Sequence, residues 1–284
     1  MKVLVLGASG MLGNAIFRVL SEHSKLDVFG TVRSASLKRF FNSLQAEKLL
    51  TNVDVEHQDS LIQAFSSIRP NVVINCIGLI KQLPKSNDPL QSISINSLLP
   101  HRLARLCELS HARLIHISTD CVFVGNKGGY AELDYCDAND LYGASKHLGE
   151  VSYPHTVNLR TSIIGHELET THGLVEWFLS QKKDCKGYSR SIFSGLPTVV
   201  VSQIIRDVVI PKTELSGVYH LAAQPIKKYD LLKLIAEVYN KSINIKPDDA
   251  IVIDRSLNAD KFQKATGYIP PDWPELIRMM RAYK

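Results

Sequence analysis

Two residues in this 284-residue chain, Tyr142 and Lys146, have types and spacing suited to proton transfer. They stand in the stretch Tyr142-Gly-Ala-Ser-Lys146, and on a helix that four-residue spacing puts both side chains on one face. A phenol ordinarily titrates at about 10, too high for ready proton exchange at neutral pH, and an adjacent ammonium favours the phenolate. The pair therefore suits general acid catalysis, with Lys146 tuning Tyr142. Tyrosine and lysine also meet at this spacing on many ordinary amphipathic helices, so what stands upstream decides. Thr119 comes 23 residues before Tyr142, directly after the apolar run Arg113 to Ser118, which reads as a buried strand. A hydroxyl and a phenol that both follow one sheet edge can converge on a single carbonyl oxygen.

The elements that position these groups begin at the N-terminus. Val3 to Leu6 reads as a buried parallel strand, and a helical pattern runs through Leu20. Between them lies Gly7-Ala-Ser9-Gly10-Met11-Leu12-Gly13. Strand, glycine turn and helix in that order suit a dinucleotide pyrophosphate: Gly7 and Gly10 let backbone approach phosphate, Gly13 permits close packing, and the helix start supplies N–H groups. Ser9, Met11 and Leu12 belong to the same cofactor-binding turn. The second strand, about Asp27 to Thr31, should end near the adenosine ribose. An acid there would hold the 2′-hydroxyl of NAD, but the sequence has Thr31-Val-Arg33-Ser, and Arg33 suits a 2′-phosphate. NADPH is the expected cofactor, with NADH as the alternative if Arg33 is only a solvated surface arginine.

Further along, Arg39 to Leu50 has a helical pattern and Asn52 to Val55 reads as a third strand. Ser60 to Ile68 reads as a helix capped by Ser60 or Asp59 and stopped by Pro70, and Asn71 to Gly78 as a fourth strand. Cys76 at its tip is a small core residue, not a nucleophile. Lys81 and Gln82 lie just beyond that tip and are candidate substrate contacts. A helix containing Asn96 runs to about Ser110, and Asn158 to Gly165 forms strand six. Alternating strands and helices specify a Rossmann-type, doubly wound parallel α/β sheet. Past residue 165 the alternation ends: Gly173 to Gln181 is helical, and Lys182 to Pro197 is irregular and basic, suited to a diphosphate or simply to solvent. Val199 to Pro211 and the strand Gly217 to Ala222 return to the core, and Tyr229 to Tyr239 is an amphipathic helix. The expected division is a dinucleotide-binding domain over 1–165, rejoined by 199–222, and a discontinuous substrate-binding region over 166–198 and 223–284.

Composition narrows the function classes. The net charge of +5 is spread without a long run of either sign, which gives no nucleic-acid footprint. No window is apolar enough to span a membrane. Cys76, Cys107, Cys121, Cys136 and Cys185 are odd in number and contain no Cys-x-x-Cys pair, so neither a disulfide framework nor a metal site is expected and a cytoplasmic setting is.

The Gly-x-x-Gly-x-x-Gly spacing, Ser118-Thr-Asp-x-Val-Phe123, Tyr142-Gly-x-Ser-Lys-x-x-Gly-Glu150, Leu159-Arg-Thr161 and Gly217-Val-Tyr-His-Leu221 occur in fixed order over roughly residues 1–225. In these motifs the chain resembles the extended short-chain dehydrogenase/reductases, and within them the dTDP-4-dehydrorhamnose reductase group. The resemblance implies that Tyr142 is the general acid, that Lys146 lowers its pKa and binds the nicotinamide ribose, and that Thr119 holds the carbonyl. It implies that Asn96 supports a proton relay through a water beside Lys146, an alternative being a satisfied helix asparagine. It places Asp54 and Val55 beside adenine and Cys76, Ile77 and Gly78 along the cofactor. Related dehydratases carry Asp-Glu after the threonine, whereas here Asp120 is followed by Cys121, so elimination lacks its second group. In the reductase group that position is usually tyrosine, and Cys121 departs from it. The implied activity is NADPH-dependent reduction of a nucleotide-linked 4-keto-6-deoxy sugar by a protein that forms a homodimer or acts alone. The alternatives are a nucleotide-sugar 4-epimerase and a non-catalytic, nucleotide-binding regulatory subunit.

Overall fold

The computed structural model describes residues 1–81 and 84–284, with backbone only at 84 and 85. Gln82 lies outside the described residues. In chain order the strands are β1 Lys2–Leu6, β2 Asp27–Thr31, β3 Leu49–Leu50, β4 Val72–Asn75, β5 Arg113–Thr119, β6 Thr156–Thr161, β7 Ile163–Ile164, β8 Cys185–Tyr188, β9 Ser191–Phe193, β10 Leu196–Pro197, β11 Gly217–His220, β12 Ile226–Lys227, β13 Ile245–Asp248 and β14 Ile253–Asp254. The helices are α1 Met11–Ser21, α2 Ser43–Glu47, α3 Gln58–Ile68, α4 Pro89–Ser92, α5 Leu99–Leu109, α6 Leu141–Leu148, α7 Leu174–Ser180, α8 Thr198–Ile204, α9 Lys228–Val238, α10 Asp260–Thr266 and α11 Trp273–Ala282.

Among the described residues the main sheet has seven strands in the order β11-β6-β5-β4-β1-β2-β3, all parallel. Its central strands are buried on both faces, as their near-continuous Val, Leu and Ile content requires. Helices cover both sides: Ile16, Phe17 and Leu20 of α1 pack with Val200, Val201 and Ile204 of α8 on one face, and Leu99, Leu103 and Cys107 of α5 pack with Leu4, Leu6 and Leu114 on the other. The strand order reverses at β1 and β4, where the carboxyl ends of the strands open a crevice for ligand. No helix among the described residues is long and apolar enough to cross a membrane.

Several local expectations change. The third strand is Leu49–Leu50, not Asn52–Val55, because Asn52 adopts a left-handed φ of 58° and ends the extended run. The helix expected over Arg39 to Leu50 is a 3₁₀ turn at Ala35–Phe40 followed by α2, with Phe41 and Asn42 extended between them and Asn42 Oδ1 accepting from Gln45 N at 2.9 Å. Neither Ser60 nor Asp59 caps α3; His57 stands at the cap without a side-chain bond. Residues 182–197 are not irregular but hold β8, β9 and β10, paired to β13, to β12 and β14, and to β7. These pairings are long-range in sequence, and short strands without alternation give little local signal.

Candidate active site

The glycine turn is built by close approach. Gly7 has φ +81°, and a Cβ there would meet Ile77 Cγ1 at 2.9 Å; a Cβ on Gly13 would meet Gly7 O at 2.1 Å. Thr31 at the end of β2 locks the turn, its Oγ1 accepting from Gly7 N at 3.1 Å and its carbonyl from Ala8 N at 3.0 Å. Helix α1 then starts at Gly10 with no side-chain cap, so its first-turn N–H groups are left for an anion. Ser9, Gly10 and Met11 are accessible at this start, while Leu12 and Gly13 are buried beneath it. Asn14 Nδ2, buried on the same first turn, has no partner among the described residues.

The tip of β4 lies against this turn. Cys76, Ile77 and Gly78 are half-buried, and a Cβ on Gly78 would stand 3.4 Å from Asn96 Oδ1 and 3.8 Å from Lys146 Nζ. Asn96 is fully buried in a π-helical segment, Ile93–Leu98, that joins α4 to α5. Its amide grips the Leu79 peptide on both sides, Oδ1 accepting from Leu79 N at 2.9 Å and Nδ2 donating to Leu79 O at 3.3 Å. Nδ2 also reaches Ser145 Oγ at 3.2 Å. Asn96 thus clamps the loop after Gly78 to the helix that carries Tyr142 and Lys146.

Helix α6 is capped by Asp140, whose Oδ1 accepts from Gly143 N at 2.9 Å and whose Oδ2 accepts from Lys81 Nζ at 2.8 Å. An Asp two residues before Tyr142 is the local signal in the sequence that marks this cap. The ammonium of Lys146, 5% exposed, donates to Ile117 O of β5 at 2.7 Å. Burial lowers its pKa from 10.5 to about 8, against the opposing pull of Glu150 and Cys76. Burial in turn pushes the Cys76 thiol up to about 12, so that thiol stays protonated and unreactive at neutral pH.

Thr119 ends β5 two residues beyond Ile117, with its Oγ1 accepting from Cys121 N at 3.1 Å and donating to Asp120 Oδ1 at 3.1 Å. Burial raises the Tyr142 pKa above its ordinary value, Cys121, Asp120 and Asp140 add to the rise, and the nearby Thr119 hydroxyl opposes it. The lowering expected from Lys146 is not found: burial sets the direction, and the ammonium is bonded instead to a backbone carbonyl, Ile117 O. A phenol held protonated is a competent proton donor. Burial also raises Asp120, with the Thr119 bond, Arg255 and Lys228 opposing.

The remaining sequence candidates divide. Arg33 is exposed just past β2, and its guanidinium has no hydrogen bond or ion pair among the described residues, leaving it free for a ligand. Asp54 spends its carboxylate locally, accepting from Glu56 N at 3.0 Å and facing His57 Nδ1 at 3.1 Å. Val55 packs with Ile77 against the α5 face of the sheet. Of the basic residues read as a diphosphate segment, Lys186 is paired with Asp248 at 3.1 Å. Two cations near Asp120, Lys228 and Arg255, escaped the sequence reading because they lie more than 100 residues downstream of it.

Over residues 1–280 the chain matches the family model described as RmlD substrate binding domain. It is 25% identical over 307 residues to a dTDP-4-dehydrorhamnose reductase of Aggregatibacter actinomycetemcomitans, covering 99% of both chains. It is also 25% identical over 262 residues to methionine adenosyltransferase 2 subunit beta of Xenopus tropicalis, covering 87% of this chain and 75% of that one. In structure it superimposes on a dTDP-4-dehydrorhamnose reductase from Bacillus anthracis, solved in complex with NADP, with a TM-score of 0.80 at 20% identity, covering 100% of this chain and 98% of the other. Since that family model spans nearly the whole chain, the chain belongs to the RmlD substrate-binding domain family.

Proposed function

We propose that this protein is an NADPH-dependent reductase of a nucleotide-activated 4-keto-6-deoxy sugar, an oxidoreductase of the extended short-chain dehydrogenase/reductase type. The observation that supports the assignment is a buried Tyr142 phenol, held protonated, and a buried Lys146 ammonium on one helix, α6, whose ammonium bonds the strand β5 that ends in Thr119. The dinucleotide fits the chain's own features: a glycine turn with no room for a Cβ, an uncapped α1 start, and an unpartnered Arg33 where a 2′-phosphate would lie. When bound, it supplies the hydride. Thr119 and Tyr142 hold the substrate carbonyl oxygen, and Tyr142 gives it a proton as the carbon is reduced. Lys146 holds the nicotinamide ribose and its charge steadies the phenolate left behind, while Asn96 fixes the loop that lines the cofactor and supports the proton's return. Residues 166–198 and 223–284 take the substrate, and residues 199–222 complete the dinucleotide-binding part. Five unpaired cysteines are in keeping with a reducing cytoplasm.

The methionine adenosyltransferase subunit among the relatives favours a second reading, a nucleotide-binding regulatory subunit. Tyr142→Phe separates the two. In a reductase it lowers NADPH oxidation with a dTDP-4-keto-6-deoxy sugar by about 10²-fold or more while cofactor binding persists. An unchanged rate, or no NADPH oxidation by the parent protein with any such sugar, overturns the reductase assignment.

A further inference from the structure

Residues 165–173 join β7 to α7, and two contacts fix where they run. At the far end a Cβ on Gly173 would stand 2.5 Å from Met11 Cε, so the chain passes against the start of α1. Four residues earlier, Glu169 is ion-paired with Arg39 in the 3₁₀ turn Ala35–Phe40 that follows β2. Four residues span at most about 14 Å, so this strap bridges directly from the α1 start to the turn after β2. Those are the places assigned above to the pyrophosphate and the 2′-phosphate of the cofactor. Glu167 folds the strap on itself, its Oε2 accepting from Gly173 N at 2.7 Å and its Oε1 from Thr170 Oγ1 at 2.7 Å. Glu169 is the acid that reaches across.

Arg39 is arranged to change acceptors. Its Nη1 donates to Ser36 O at 3.1 Å, and its guanidinium lies 4.5 Å from the centroid of the Phe40 ring. Ser36 N donates in turn to Oγ of Ser34, the residue after Arg33, at 3.3 Å. The guanidinium is thus folded onto the turn that opens with Arg33, and its Nη2 is the group that meets Glu169. The two side chains are 55% and 44% exposed, and a pair so screened shifts an equilibrium by about fivefold at most. A phosphate dianion is the stronger acceptor for a guanidinium. Nη2 can therefore exchange a carboxylate oxygen for a phosphate oxygen while the Ser36 bond and the ring contact keep the arginine in place.

We infer that Glu169 is a cofactor-selectivity residue, which competes with the 2′-phosphate of NADPH for Arg39 and so weakens NADPH binding while leaving NADH binding alone. NADH carries a hydroxyl at that position and leaves the ion pair intact. The inference rests on the reading that Arg33 takes the 2′-phosphate, and it concerns binding, so it holds whether or not turnover follows.

The test titrates NADPH and NADH, by nicotinamide fluorescence at low ionic strength, into the parent, Glu169→Gln, Arg39→Gln and the double variant. Glu169→Gln should raise NADPH affinity by about two- to fivefold and leave NADH affinity as it was. Arg39→Gln should weaken NADPH binding, and in that background the Glu169→Gln gain should vanish, because the competed cation is gone. An NADPH affinity unchanged or lowered in Glu169→Gln overturns the inference. So does an equal change for both cofactors, which means a loosened strap, or a gain that persists without Arg39, which means direct repulsion of the phosphate. If Arg33→Ala leaves NADPH affinity untouched, the 2′-phosphate reading and this inference fall together; if Arg33→Ala weakens it while Glu169→Gln does nothing, this inference alone falls. A parent that binds NADPH but reduces no keto sugar removes the reductase reading and keeps the competition.

Discussion

Glu150, two residues past the end of α6, and Arg160, the last residue but one of β6, form a two-pronged ion pair in which Nε donates to Oε1 at 2.7 Å and Nη2 to Oε2 at 2.6 Å. Their side chains are 5% and 4% exposed, and Ser118 Oγ adds a third bond to Oε1 at 2.6 Å. Both residues belong to the motifs that carry the family resemblance, yet neither reaches the reacting centre. Together they fasten the end of the catalytic helix to β5 and β6, and so fix where Lys146 and Tyr142 stand.

Breaking that pair leaves a buried guanidinium uncompensated. Glu150→Ala should cost about 3–5 kcal/mol in urea unfolding, far more than any surface pair in the molecule. A loss under about 1 kcal/mol contradicts the account. Burial pushes the Glu150 pKa up, but the bonds from Arg160, Ser118 and His147 outweigh it and hold it below 4.5. A depressed carboxylate contributes stability that is complete above pH 4.5 and lost as pH falls through the folded value. The acid limb of the stability curve should therefore flatten in Glu150→Gln relative to the parent.

Lys146 gives a prediction of opposite sign. Burial brings its pKa to about 8, so the folded chain bears the strain of a buried ammonium below that pH, and the strain fades as pH rises toward the unfolded value of 10.5. Lys146→Met should melt above the parent at pH 7, with the gap closing at higher pH. In the parent, kcat/KM for NADPH oxidation should fall above pH 8 as the ammonium neutralises. A profile flat to pH 10 shows that the charge is not needed.

Asp140 links two sites of control, capping α6 and holding Lys81. Asp140→Ala should destabilise by about 1 kcal/mol through the lost cap. Lys81→Ala should cost less than about 1 kcal/mol, because both partners of that pair are partly exposed. Thermal unfolding of the two variants checks the order, and equal losses would mean that the cap contributes nothing of its own.

If Arg33 takes the 2′-phosphate, as proposed, cofactor choice turns on it. With no partner among the described residues, its replacement by alanine should leave stability within about 0.5 kcal/mol of the parent. KM for NADPH should rise by about tenfold or more while KM for NADH stays put, since a guanidinium bound to phosphate is a charge-assisted contact. Parallel titrations with the two cofactors decide it, and equal effects on both would assign Arg33 another role.

The chain by itself determined the parallel sheet, the glycine turn, and the identity and order of Thr119, Tyr142 and Lys146, because apolar periodicity, glycine spacing and helical spacing are local and can be read within a few turns. It also supplied Glu150 and Arg160 as motif members without revealing that they meet. Only the tertiary structure decided that pairing, the clamp of Asn96 on Leu79, the short strands of residues 182–197, and the approach of Arg255 to Cys121. Each depends on contacts between residues distant in sequence, and the direction of the Tyr142 shift depends on burial. Neither effect leaves a pattern in the residues immediately around it, so packing alone could settle them.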